Sequence, residues 1–398
     1  MKLYKDSVIR AVDSAQGKIW ALNKDLYAHP EVAFHEYKAV QRITNLLELE
    51  GFEIERNLAG LETAFRARYP AMSANGPVIA LLAEYDALPK IGHGCGHNMI
   101  ASAAVGAALS LKPLLEELCK SVQVIGTPAE EGGGGKVLLA EGGVFDGIDV
   151  VMMTHPSNIT AICATSLARV KVEIEFHGKA AQIFMDQERG VSALAATIQT
   201  FNGVNALRGN LKPYHTMIHG IITRGGESAV TTPDLSESSF FIMAPQIEEA
   251  REVYDKLAQC AEGAATMTGA KVAFHSYGEY KEFVPNRALA QAFGKNLEHL
   301  GVPIDEKNMY DGIMCALDIG DVGHLVPSIH PYIDLGKNLT WHTPEVTEAT
   351  VSDSGRSVLL NAAKALAMTA VDIYTDKTLL KKIKKDFTLS LKSSEKPS

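Results

Sequence analysis

PVIALLAEYDALPKIGHGCGHNMIASAAVGAALSLKPLLEEL, residues 77–118, decides the fold. It opens on a short apolar run, PVIALLAEY (77–85), passes through a loop rich in Gly and Pro, and continues from about Met99 as a helix built of small residues. Apolar runs and helical stretches then alternate: SVQVIGTP (121–128) and DVVMMTHP (149–156) are two more apolar runs, and the shorter helical segment between them ends near Glu141-Gly142-Gly143. Strands without polar alternation are covered on both faces, so such runs separated by helices predict a parallel sheet. The first part of the chain is therefore expected to be α/β.

Upstream, apolar residues recur at helical spacing from Val8 to Leu49, where Gly51 breaks the pattern. Downstream the character changes. ARVKVEIEFHG (168–178) alternates, a helical stretch runs from about Val191 to Leu207, HTMIHGIIT and SSFFIMA read as strands, a helix covers roughly Gln246 to Thr268, and KVAFHSY closes the set. This predicts an antiparallel sheet with helices on one face, an α+β unit inserted into the first domain. After Pro285 the chain returns to helix, strand and a long alanine-rich helix, Ala349 to Tyr374. The expected boundaries are 1–166, 167–278 and 279–398, and no internal repeat is found. A length of 398 residues suits two or three domains.

Composition excludes several roles. Thirty-eight Lys and Arg against 47 Asp and Glu give a net charge of −9, without the positive field that gathers phosphate backbones, so no nucleic-acid partner is expected. The longest nearly apolar run, Met99 to Leu111, is shorter than the roughly 20 residues a bilayer requires, which predicts no membrane span. Charges interrupt the N-terminal stretch MKLYKDSVIRAVDS where a secretory signal would be apolar, so a cytoplasmic protein is expected. Cys95, Cys119, Cys163, Cys260 and Cys315 lack paired spacing, as in a reducing compartment, and four of them read as core filler. The lysine-rich end from Lys377 reads as a solvated helix fraying into a tail.

In an open parallel sheet, ligands bind beyond the carboxyl ends of the strands. The residues there are reactive ones: Asp86 and the loop GHGCGHN with His93, Cys95 and His97 after the first run, Glu130 and Glu131 after the second, and His155 after the third. A later loop, Trp341-His342-Thr343, follows the short strand YIDLG. Cys95 and His97 are two apart, so along an extended backbone both point the same way toward a shared metal. Thiolate, imidazole and carboxylate together suit zinc best, with manganese possible at a two-metal site. Glu130 and Glu131 are expected to project oppositely along an extended backbone, one ligating while its neighbour takes a proton from water. A metal lowers the pKa of water to about 7, and a placed base contributes about 10²- to 10⁴-fold.

Other features have ordinary readings. His177, His215, His219 and His275 are assigned structural roles. Gly132 to Gly135 before Lys136 do not form a phosphate loop, because Glu130 stands where the first glycine is required and neither Ser nor Thr follows the lysine. The glycines instead let backbone approach a metal or substrate.

Taken together, DALP (86–89), GHGCGHN (92–98), TPAEEGGGGK (127–136), THP (154–156) and WHTPE (341–345) resemble the dinuclear metallopeptidase family of aminoacylases and glutamate carboxypeptidases, in its amidohydrolase branch with the aminobenzoyl-glutamate and auxin-conjugate hydrolases and related dipeptidases. The resemblance runs from AHPEVAFHEYKA (28–39) to the last long helix. It implies a mostly parallel-sheet catalytic domain holding two zinc or manganese ions, and an inserted α+β lid that also dimerises. Cys95, His97, Glu131, His155 and His342 are then the implied metal ligands, Glu130 the general base, and Asp86 the acid that orients a ligand. Gln182, Gly133 and Gly134 are the implied substrate contacts. The implied substrates are N-acyl amino acids, amino-acid conjugates and short peptides, cleaved at the amide bond, and the implied assembly is a homodimer or higher homo-oligomer through residues 168–277.

Several positions depart from the family pattern. Gln182 stands for a histidine that polarises the scissile carbonyl, and it cannot carry positive charge. Val230 stands for an Asn, Met243 for a substrate-gripping Arg, and Asn98 for an Asp that related branches also exchange. These changes motivate a rival expectation, a metal-containing peptide-binding or assembly protein with a weakened site.

Overall fold

The computed structural model describes residues 2–70, 76–211, 216–305 and 315–394. His215 and the last four residues of the lysine-rich tail lie outside the described residues. The chain divides into two units, one of residues 1–165, 284–313 and 321–398, the other of residues 166–283 with 314–320.

The first unit opens with helices α1 (Lys2–Ala28) and α2 (Tyr37–Leu49) and continues through β1 (Glu53–Arg56), β2 (Phe65–Tyr69), β3 (Val78–Glu84), α3 (His97–Leu118), β4 (Ser121–Thr127), α4 (Gly135–Glu141), β5 (Val150–Met152) and β6 (His155–Ser157). Its main sheet has the order β1-β2-β4-β3-β5-β11, where β11 is Ser328–Ile329. The four strands β4, β3, β5 and β11 run parallel, as expected. Ile79, Ala80, Leu81 and Leu82 of β3 are all fully buried, which is why its sequence shows no alternation. The antiparallel edge β1–β2, which pairs Ile54 with Ala67 and joins β4 through β2, had no counterpart among the expected elements. A small parallel pair of β6 with β12 (Tyr332–Asp334) carries His155 at its start.

Helix α3 packs on β3 and is covered by α1 and the helix Asp353–Thr375. Its small residues permit that approach: a Cβ on Gly106 would stand 2.8 Å from Ile19 Cδ1. Both α3 and Asp353–Thr375 are long and apolar enough to cross a bilayer, α3 being longer than its apolar run suggests, and both are largely buried inside this unit. The lysine-rich segment is helical over Lys377–Ser394, with Ile383 fully buried.

The second unit is the expected α+β layer. Its antiparallel sheet has the order β10-β7-β9-β8, with β7 Ala168–His177, β8 Met217–Arg224, β9 Leu235–Ala244 and β10 Lys271–Tyr280. Along β7, Val170, Val172, Ile174 and Phe176 turn into a core shared with α5 (Ala193–Arg208) and α6 (Ile247–Thr268), while Glu173 and His177 face outward. Ser192 caps α5 by accepting from the Ala195 amide at 3.1 Å, and Gly269 (φ 77°) ends α6 in the left-handed conformation. His177, His219 and His275 are exposed on this unit's strands, and His177 Nε2 lies 2.5 Å from Glu175 Oε1.

Candidate metal centre

The centre is assembled where β3 ends. Asp86, just past the strand, is buried, and its Oδ1 lies 3.0 Å from His97 Nδ1. The Asp86 carbonyl oxygen lies at the same distance from Nδ1, so this nitrogen carries the proton and leaves the Nε2 lone pair free. Asp86 Oδ2 accepts from the Glu131 amide at 2.9 Å, so one carboxylate fixes two neighbouring segments. Burial alone would raise the Asp86 pKa, but His97 and these hydrogen bonds outweigh it and hold the group below its ordinary value.

The two expectations of extended backbone are corrected. Between Cys95 and His97, Gly96 is left-handed (φ 75°) and His97 is already the first residue of α3, yet the two side chains converge with His155. Glu130 and Glu131 lie in a turn entered through a left-handed Ala129 (φ 59°), whose carbonyl accepts from Gly133 and Gly134. The turn brings both carboxylates to one side, with Glu130 Oε2 and Glu131 Oε1 each 3.9 Å from His97 Nε2. The chain leaves the extended geometry at left-handed Ala129, just after β4, before the two glutamates are reached.

His155 directs Nδ1 to its neighbour's carbonyl, 2.6 Å from Pro156 O, which leaves its Nε2 lone pair available. Burial, with His330 and His97 nearby, pushes its pKa down to about 3, so the ring is a neutral donor. His342, left-handed at φ 63°, is tied by its amide to Gly94 O at 3.2 Å, and its Nε2 lies 3.8 Å from Glu131 Oε2.

Among the described residues, three donor groups result, each with its donor atoms within 4.8 Å of one another: Cys95, His97 and His155; Cys95, Glu131 and His342; and His97, Glu130 and Glu131. These residues fit divalent cations on two counts. His97 Nε2 is buried with no hydrogen-bond partner, and although burial opposes it, Asp86, Glu84 and Glu131 hold the imidazole pKa well above its ordinary value, so this nitrogen sits where positive charge, a proton or a cation, is demanded. Burial and then Glu131 push the Cys95 thiol well above its ordinary pKa, so a thiolate there requires an adjacent cation. Cys95 belongs to two of the groups and His97 to two, the pattern of adjoining sites.

Other polar groups around the centre escaped sequence reasoning. Glu84 is buried, its Oε1 2.6 Å from the fully buried Lys136 Nζ and its Oε2 3.6 Å from His97 Nε2. The available signal was a carboxylate inside an apolar run, two residues before Asp86 and hence on its side of the strand. His330 is buried, its ring centroid 5.3 Å from that of His155, and burial first holds its pKa down to about 4. Glu36 Oε1 accepts from the Phe34 amide at 3.0 Å and the Ala129 amide at 2.9 Å, anchoring the Glu130 turn. His93, from the same loop as Cys95, faces the Leu26 carbonyl at 3.2 Å.

The glycine run is explained by packing. A Cβ on Gly133 would stand 2.2 Å from the Phe34 ring and one on Gly135 1.9 Å from Pro128 O, while Gly134 (φ 66°) caps α4. Asn98 is buried and donates to Asn23 Oδ1 at 3.1 Å and Thr350 Oγ1 at 3.0 Å, bonds an ionised Asp could not give. In the second unit, Gln182 is exposed with its Oε1 accepting from the Phe184 amide at 3.0 Å, and Val230 is exposed. Met243 lies directly opposite Arg169 in the β7–β9 register, and the Arg169 guanidinium stacks over the Tyr280 ring at 3.5 Å.

A sequence profile described as Peptidase family M20/M25/M40 matches residues 80–350. The Xaa-Arg dipeptidase of Mus musculus is 36% identical over 409 residues, covering 99% of this chain and 94% of its own. A component of the p-aminobenzoyl-glutamate hydrolase of Escherichia coli K12 is 27% identical, covering 94% of this chain and 93% of its own. Among solved structures, a dinuclear metal binding peptidase of Bacillus subtilis shares the fold with a TM-score of 0.66 at 22% identity, over 90% of this chain and 99% of that one.

Proposed function

The chain belongs to peptidase family M20/M25/M40, and on that premise we propose that the centre is a two-cation amidohydrolase site in which Cys95, His97, Glu131, His155 and His342 are the ligands and Glu130 is the general base. The observation that carries this reading is His97, whose Nδ1 is bound to Asp86 while its buried Nε2 faces three carboxylates, Glu84, Glu130 and Glu131, without a hydrogen-bond partner. When bound, divalent cations acidify water and polarise the amide carbonyl. Asp86 fixes the His97 tautomer and, through the Glu131 amide, the turn that aims both glutamates. Glu130 accepts a proton as water adds to the amide carbon. It returns that proton to nitrogen as the carbon–nitrogen bond breaks, yielding a carboxylic acid and an amine.

Zinc, with manganese as the alternative, follows from the mixed sulfur, nitrogen and oxygen donors. The substrate class is dipeptides, N-acyl amino acids and amino-acid conjugates, and the likeness to the mouse Xaa-Arg dipeptidase favours dipeptides with a basic C-terminal residue. The second unit is proposed to serve as lid and homodimer interface, with Gln182 facing substrate and Gly133 and Gly134 shaping the floor. A cytoplasmic setting accords with five free cysteines.

The test is cleavage of a panel containing Xaa-Arg dipeptides, N-acetyl amino acids and p-aminobenzoyl-glutamate, by protein stripped of metal and then reloaded. Cleavage restored by zinc or manganese and reduced about 10²- to 10⁴-fold in Glu130→Gln is expected. Binding of these compounds without metal-dependent turnover overturns the reading.

A further inference from the structure

The buried Glu84–Lys136 pair has no part in the roles assigned above, and its placement is unusual. Lys136 sits in the first turn of α4, fully buried, with Nζ 2.6 Å from Glu84 Oε1. The other Glu84 oxygen is buried, has no hydrogen-bond partner and stands 3.6 Å from His97 Nε2. A buried carboxylate oxygen that close to the ring nitrogen calls for positive charge between them. Yet Glu84 belongs to none of the three donor groups, so it acts on the centre through its charge beside His97 Nε2.

Stability alone does not account for the pair, because apolar residues of similar volume commonly serve as well as a buried ion pair. Charge does account for it. With Cys95 as thiolate and Glu84, Asp86, Glu130 and Glu131 ionised, the Lys136 ammonium leaves the net charge that two divalent cations neutralise. The chain also shapes itself to bury this lysine: Gly135 permits α4 to start against Pro128 O, where any Cβ would stand 1.9 Å away.

We propose that Glu84 and Lys136 are a positioning pair that sets the charge of the metal centre, Glu84 strengthening cation binding at His97 and Lys136 limiting it. The proposal rests on the two-cation reading above and concerns affinity and ligand geometry. The probe is Co²⁺ titrated into stripped protein, read by competition with a chelator and by the thiolate-to-cobalt absorption of Cys95. Glu84→Gln is expected to weaken the tighter Co²⁺ site at least tenfold, and Lys136→Met to strengthen it at least threefold. The double variant, which restores the net charge with two neutral side chains of similar size, is expected within threefold of the parent and with its absorption band.

Opposite signs and compensation are what a charge-setting pair requires, whereas a merely structural pair loses affinity in both single variants and gains nothing in the double. Single variants shifting in the same direction, or Glu84→Gln binding within threefold of the parent, overturn the proposal. Should Lys136→Met not fold, the comparison of Glu84→Gln with the double variant decides, and failure of the second change to recover the affinity overturns it. A parent protein that takes up no Co²⁺ overturns the metal reading itself.

Discussion

The Asp86 carboxylate and the His97 imidazole are joined at 3.0 Å between Oδ1 and Nδ1, both nearly inaccessible to solvent. The ring is thereby held in one tautomer and one orientation by a group that also anchors Glu131. Asp86→Asn offers an amide that presents either a donor or an acceptor and lacks the charge. Metal affinity is expected to fall about 10- to 100-fold, the range for partners behind metal-binding histidines. Calorimetric zinc titration checks this, and an unchanged affinity would show that His97 is oriented by packing alone.

On the proposed ligand set, Cys95 ties metal loading to pH. Burial and Glu131 hold its thiol protonated in the absence of a cation, so binding there would expel that proton and affinity would rise with pH. Cys95→Ser should bind more weakly and lose about one decade of affinity change per pH unit over the neutral range. Parallel slopes for the parent and Cys95→Ser would remove Cys95 from the ligand set.

Glu36 carries a second pH dependence, with the opposite sign for stability. Burial raises its pKa from 4.5 to about 7, so the folded chain holds a proton that the unfolded chain releases between those values. Its contribution is fully present below about 4.5 and is lost as pH rises through 7. Glu36→Gln keeps an oxygen for the Phe34 and Ala129 amides but does not titrate. Relative to the parent it should gain up to about 3 kcal/mol between pH 5 and pH 8, as read by urea unfolding. A difference independent of pH contradicts the assignment.

Gly135→Ala places a methyl 1.9 Å from Pro128 O, a backbone atom that cannot swing away. The expected cost is at least about 2 kcal/mol in urea unfolding. Gly132→Ala, whose Cβ meets nothing within 4 Å, is the control and should cost under about 1 kcal/mol.

Much of this architecture is legible in apolar patterning. Val78–Glu84, Ser121–Thr127 and Val150–Met152 are mostly apolar without alternation because both sheet faces are covered, and β7 alternates because one face is not. The rule that ligands gather at strand ends led to Cys95, His97, Glu130, Glu131, His155 and His342 among the candidates, the family resemblance divided them into ligands and base, and overlapping donor groups bring them together. Local backbone was less legible. Left-handed Ala129 and Gly96 break the extended geometry assumed for the two-residue and adjacent pairs, and a non-glycine residue in that conformation leaves no compositional signal. Glu84 and Lys136 were hidden because each is read by its neighbours, one as part of an apolar strand and the other as a failed phosphate loop, while their partnership exists only in three dimensions.

His342 reaches the Cys95 loop from about 250 residues further along the chain, held to Gly94 by a backbone bond. On the proposed ligand set, a ribosome would therefore synthesise most of the polypeptide before the last donor is available, and any earlier ion would be held by an incomplete set. Full metallation would then be a late event in biogenesis, a seal placed on a nearly finished fold rather than a seed for it.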